Sequence, residues 1–256
     1  MSNEKHLRHI LQTTLSHGGT EIISKVATFA LFPLFTHIID KSDFGMFTDL
    51  YTWSAFLIIM MTFGLETSFM KYSLDRDEDR STILFSTTSA MVIFFTAIFT
   101  LIMFWGMDII LPLLRYEMFE SIIWMVIGII VLDVWSALPN TRLRKEGRTG
   151  YFNFVLLMNT FTNLGMLMFL LLVVPWLNED GDFGASLFTW YDKSQTVHYI
   201  FFANLMASLI RFLLLSSIYF QTKWAVSISI ARKTFHFGAP LMVAGLAGIA
   251  VERLDI

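Results

Sequence analysis

Two stretches of this chain, Ser81 to Met107 and Thr149 to Asn178, contain no charged side chain. Each is longer than the about 20 apolar residues that an α-helix needs to cross the hydrocarbon of a bilayer. In lipid, every backbone N–H and C=O must be satisfied inside the segment, so a spanning run of this kind folds as a helix. Five further apolar runs carry one or two charges each: roughly Leu11 to Ile39, Phe44 to Met70, Phe119 to Thr141, Val197 to Gln221, and a last one starting near Phe235. The expected fold class is therefore all-α, a polytopic membrane helix bundle of six complete transmembrane helices plus a truncated seventh. Composition agrees, because 55% hydrophobic residues, 15% charged residues and a mean hydropathy of +0.61 are too apolar for a water-soluble surface.

The connections are short and polar, such as DKSDFG, SLDRDEDR and LRKEGRTG, which leaves no room for a separate soluble domain. The expected layout is an amino-terminal six-helix lobe over 1–222, a cytoplasmic linker over 223–234, and the start of a seventh helix over 235–256. The linker has basic ends and alternating apolar residues, compatible with a headgroup-layer segment or with a plain connection. No short apolar core with a small-residue cleavage site follows the polar amino terminus, so no removed signal peptide is expected.

Lys and Arg set the orientation, because basic loops are retained on the cytoplasmic side. Lys5, Arg8, Lys71, Arg76, Arg80, Arg142, Arg144, Lys145, Arg148, Lys223, Arg232 and Lys233 all fall on one side, against Lys41, Arg115 and Lys193 on the other. The amino terminus is expected in the cytoplasm, and the protein in the cell inner (cytoplasmic) membrane as a multi-pass protein. A net charge of -3 gives no field for nucleic acid. No metal-ligand cluster, phosphate loop or nucleophile elbow is present, so neither catalysis nor a cofactor is expected. The absence of cysteine removes thiol chemistry.

The informative residues are the charges inside the spans, where an ionisable group near the centre costs about 2.5–3.5 kcal/mol on insertion scales. In the first span Glu21 and Lys25 stand four apart in the favourable acid-first order, with Thr14, His17, Ser24 and Thr28 extending the same face. Glu66 and Asp133 lie within about two turns of the cytoplasmic ends of their spans. Arg211 is about 15 Å from either end of its span, too deep for its head to snorkel into water, and calls for a wet cavity. Pro33 late in the first span, and Gly238 with Pro240 early in the last, are candidate hinges or sites of close packing. The many Met and Phe residues read as packing and lipid-facing surface.

These residues sit in a context that resembles a known family. The stretch SKVATFALFPLFTHIIDKSDFGMFTDLYTW is similar to the opening of O-antigen-type (Wzx-like) polysaccharide flippases of the multidrug/oligosaccharidyl-lipid/polysaccharide exporter superfamily. Ser24-Lys25, Asp43-Phe44-Gly45, Leu138-Pro139 followed by a basic run and Tyr151-Phe152, and Pro240 followed by Glu252-Arg253 all line up with that pattern. The resemblance implies export of an undecaprenyl-pyrophosphate-linked oligosaccharide by alternating access between two lobes. Lys25, Arg211 and Arg253 would contact the anionic cargo; Glu21, Asp133, Glu66 and Glu252 would couple ions or balance charge. Partners would be membrane lipids, the lipid-linked oligosaccharide and a missing carboxy-terminal lobe, since such proteins usually run to twelve or fourteen spans. A membrane scaffold of a polysaccharide assembly complex, or an ion-coupled drug exporter of the same superfamily, are the competing expectations.

Overall fold

The computed structural model describes residues 19–27, 29, 33, 38–39, 41–73, 78–114, 119–179, 188–189 and 191–254. Its elements are helical: α1 (19–27), α2 (Lys41–Thr62), α3 (Leu65–Tyr72), α4 (Glu78–Leu114), α5 (Glu120–Lys145), α6 (Thr149–Met168), α7 (Thr196–Gln221) and α8 (Ile228–Leu254). A π-helical turn, Phe169–Val173, and a last stretch, Val174–Glu179, continue α6. Among the described residues six helices are long and apolar enough to cross a membrane, namely α2, α4, α5, α6 with its continuation, α7 and α8. They correspond to the second through seventh expected spans, whereas most of the first lies outside the described residues.

Three boundaries differ from expectation. The second span does not run unbroken from Phe44 to Met70: Phe63 (φ 50) and Gly64 (φ 62) both take left-handed backbone and separate α2 from α3. The third extends well beyond Ser81 to Met107, since Glu78 to Arg80 supply a polar first turn and Pro112 is tolerated near the end. The last helix starts at Ile228, so the expected linker over 223–234 is coil only to Ser227.

The π turn has a local cause. Pro175 has no N–H to donate, and Val174 N bonds instead to Phe169 O, five residues back, widening the helix just ahead of the proline.

The chain divides into two compact units, Met1–Thr48 with Arg148–Arg211, and Asp49–Gly147 with Phe212–Ile256. In the first, Phe47 meets Phe201 across α2 and α7 at 6.1 Å, and Val155, Leu167, Leu170, Val197, Ile200 and Ala203 are buried. In the loop before α7, Tyr191 stacks on Tyr199 at 4.9 Å and the Tyr199 hydroxyl accepts from Asp192 N. Burial, then the neighbouring Tyr199 and Asp192, raise the Tyr191 phenol; the Ser194 backbone N–H holds the Asp192 carboxyl below its usual range.

The second unit is organised around α5, whose spanning window is 56% buried against 11% for α8. Leu65, Phe69, Phe85, Ile122, Ile130, Leu138, Leu143 and Leu215 form its apolar core. Its polar interior is made of hydroxyls: Ser68, Ser86, Thr87, Thr88, Ser89, Thr96 and Ser136 have no exposed surface. Helices cannot use apolar burial to choose one another in lipid, so small residues and hydrogen bonds specify the contacts. Ser68 Oγ donates to Thr234 O of α8 at 3.0 Å; Trp135 Nε1 of α5 donates to Thr96 Oγ1 of α4 at 2.8 Å; Tyr219 of α7 donates to Trp135 O at 2.6 Å.

Candidate functional site

At one end of the second unit the last turn of α5 carries Arg142, Arg144 and Lys145, where cations complement the carbonyl end of a helix. Successive residues point about 100° apart, and so the three reach different neighbours. Arg142 Nε meets Glu146 at 2.7 Å, its Nη1 donates to Thr222 Oγ1 at 2.8 Å, and its guanidinium lies 4.8 Å from the Phe85 ring centre. Lys145 Nζ donates to Ser81 Oγ at 2.6 Å. Arg144 Nη2 stands 3.9 Å from Glu66 Oε2 and donates to Thr141 Oγ1 at 3.3 Å, while Thr141 in turn donates to Glu66 at 3.2 Å. One basic run thereby ties α5 to α3, to the first turn of α4, and to the residue after α7.

Glu66 stands in the first turn of α3, immediately beyond the Phe63–Gly64 break. Gly64 and Gly238 are in backbone contact, and an added Cβ on Gly64 would stand 2.6 Å from Gly238 O. Gly238 is accordingly buried within α8 as a close-packing position, and Pro240 follows two residues later with its side chain exposed.

Glu21 and Lys25 are both exposed on α1 and do not pair with one another among the described residues, whereas Thr20 and Ser24 form its buried face. Ser24 is buried where Glu21 and Lys25 are exposed, so it belongs to the packed side of α1 with Thr20. Thr14, His17 and Thr28 lie outside the described residues, as do the side chains of Glu252 and Arg253. Pro33 is exposed. Asp133 is half-buried on α5 and Arg211 half-buried on α7. Glu66 is joined to Arg144 and Thr141, partners that nothing in the sequence singles out. Arg142, Arg144 and Lys145 were legible only as orientation signals; their spacing carries no hint of Thr222, Ser81 or Phe85.

No curated protein and no solved structure matches the chain. A family model described as "Polysaccharide biosynthesis protein" matches residues 10–255, nearly the whole length, so this multi-pass helical membrane protein belongs to the polysaccharide biosynthesis protein family.

Proposed function

We propose that the protein is a flippase of the cytoplasmic membrane. It moves an undecaprenyl-pyrophosphate-linked oligosaccharide from the cytoplasmic to the outer leaflet by alternating access, as a step of surface-polysaccharide assembly. The observation that carries this reading is the family match over residues 10–255 on a chain with six bilayer-length helices among its described residues. Charge placement supports it. Arg211 is about 15 Å from the Gln221 end of α7, and a cation at that depth needs a polar cavity and suits an anionic cargo. Glu21 and Lys25, exposed on α1, make the same demand on whatever covers that helix. A second lobe closing the cavity, and Asp133 or Glu66 as coupling acids, complete the reading.

The test is depletion of the protein in its own cell. Lipid-linked oligosaccharide should accumulate in the cytoplasmic leaflet while surface polysaccharide falls, and an Arg211→Lys copy should restore export better than Arg211→Ala. Loss of surface polysaccharide with the precursor already in the outer leaflet would favour the scaffold reading instead.

A further inference from the structure

Where α3 ends against the first turns of α8, two ammonium groups converge on two aromatic rings. Lys71 Nζ lies 3.7 Å from the centre of the Phe237 ring and 5.5 Å from that of Tyr72; Lys233 Nζ lies 4.4 Å from the Tyr72 ring. The two rings themselves meet edge to face, 5.7 Å apart at 71°. Beside them opens a pocket of about 380 Å³ lined by Tyr72, Lys233, His236, Phe237, Pro240 and Leu241. A smaller one of about 40 Å³ adjoins it, sharing Tyr72 and Lys233 and adding Arg80. Among the described residues neither Lys71 nor Lys233 forms an ion pair with a carboxylate.

The pocket is amphipathic along the helix axis. Lys233 is about 7 Å from the start of α8 at Ile228, hence near the level where a spanning helix leaves the hydrocarbon. Tyr72 and Phe237 occupy the depth at which aromatic side chains border the headgroups. Pro240 and Leu241 continue the floor as apolar surface one turn further into the bilayer. Cations held over aromatic faces keep most of their charge for an incoming anion, because the ring quadrupole is a weaker partner than a carboxylate. A soluble anion would have no use for the apolar floor, and a zwitterionic lipid would leave the lysines half-matched.

We propose that this pocket binds one anionic phospholipid of the surrounding membrane, its phosphate held by Lys71 and Lys233 with Arg80 and His236 at the rim, and an acyl chain lying along Pro240 and Leu241. The site is independent of the exported cargo, and it fixes the α3–α8 contact to the leaflet's anionic lipid. Basic pockets between spanning helices are suited to such headgroups on chemical grounds.

The intact protein, reconstituted in bilayers of equal parts phosphatidylglycerol and phosphatidylcholine and then stripped to its retained lipids for native mass spectrometry, tests this. Wild type should keep phosphatidylglycerol several-fold over phosphatidylcholine. The pair Lys71→Gln and Lys233→Gln should abolish that preference at unchanged helicity, Lys71→Arg with Lys233→Arg should retain it, and Lys223→Gln, an exposed cation elsewhere, should leave it unaltered. Equal retention of the two lipids by wild type, equal loss in Lys223→Gln, displacement by millimolar inorganic pyrophosphate, or occupation of the pocket by another protein segment in crosslinking from position 240 would each overturn the proposal.

Discussion

Gly64 and Gly238 touch backbone to backbone, at the point where the second span breaks and the last helix packs against it. Neither position has space for a methyl group, and Gly64 also holds a φ of 62° that L side chains rarely adopt. Gly238→Ala should destabilise the protein by about 1–3 kcal/mol through overpacking, and Gly64→Ala by more because left-handed strain adds to the clash. Gly248, with nothing within 4 Å, is the control. Its change to Ala should be neutral or mildly stabilising, as helix propensity favours Ala over Gly by about 0.8–1 kcal/mol. Thermal unfolding in detergent reads all three.

The Tyr219–Trp135–Thr96 chain joins three helices through two hydroxyls, one carbonyl and one indole. Polar contacts between helices in membranes contribute about 0.6–2 kcal/mol each. Tyr219→Phe and Thr96→Val should each cost an amount in that range. The double variant should fall short of their sum if Trp135 couples them, which a double-mutant cycle on the same unfolding signal measures.

Arg142 and Arg144 stand two residues apart and should behave differently. Arg142 uses its planar fork against Glu146 and Thr222 and its face against Phe85, functions an ammonium cannot reproduce. Arg142→Lys should therefore lose about 1–2 kcal/mol. The Arg144–Glu66 pair is loose at 3.9 Å, with side chains 43% and 36% exposed. Arg144→Ala should change stability by about 0–1 kcal/mol and the effect should fade with added salt.

Much of the fold was legible in the sequence. Uninterrupted apolar runs such as Thr149 to Asn178 admit only one reading in lipid, and six of the expected spans are helices of sufficient length. The Phe63–Gly64 break was not legible, because the apolar pattern continues through it and the backbone it packs against, at Gly238, is more than 170 residues away in the chain. The early start of α8 was hidden by Lys223, Arg232 and Lys233, whose charges read as a loop although Lys233 sits within the helix and leans on Tyr72. Cation–aromatic pairings of this kind leave no spacing signature, since the partners lie on different helices.

Because the chain contains no cysteine, single cysteines report water access without background. Positions 204 and 208 share the Arg211 side of α7, about two turns and one turn away respectively. If Arg211 faces a wet cavity, a membrane-impermeant thiol reagent should label Cys at 204 far faster than Cys at Leu213, which is exposed on another face of the helix. Equal labelling of both, or of neither, would remove the cavity from the account.

The most direct measurement is of lipid transfer itself. The intact protein, together with the lobe that closes its cavity, would be placed in vesicles with a radiolabelled polyprenyl-pyrophosphate oligosaccharide, and the fraction cleaved by an external, impermeant glycosidase followed with time. Wild type should bring the inner-leaflet pool into reach of the enzyme, and Arg211→Ala should slow this at least about tenfold, equivalent to about 1.4 kcal/mol. An inner-leaflet pool that stays protected at the rate of empty vesicles, with folded wild-type protein present, would contradict the flippase reading.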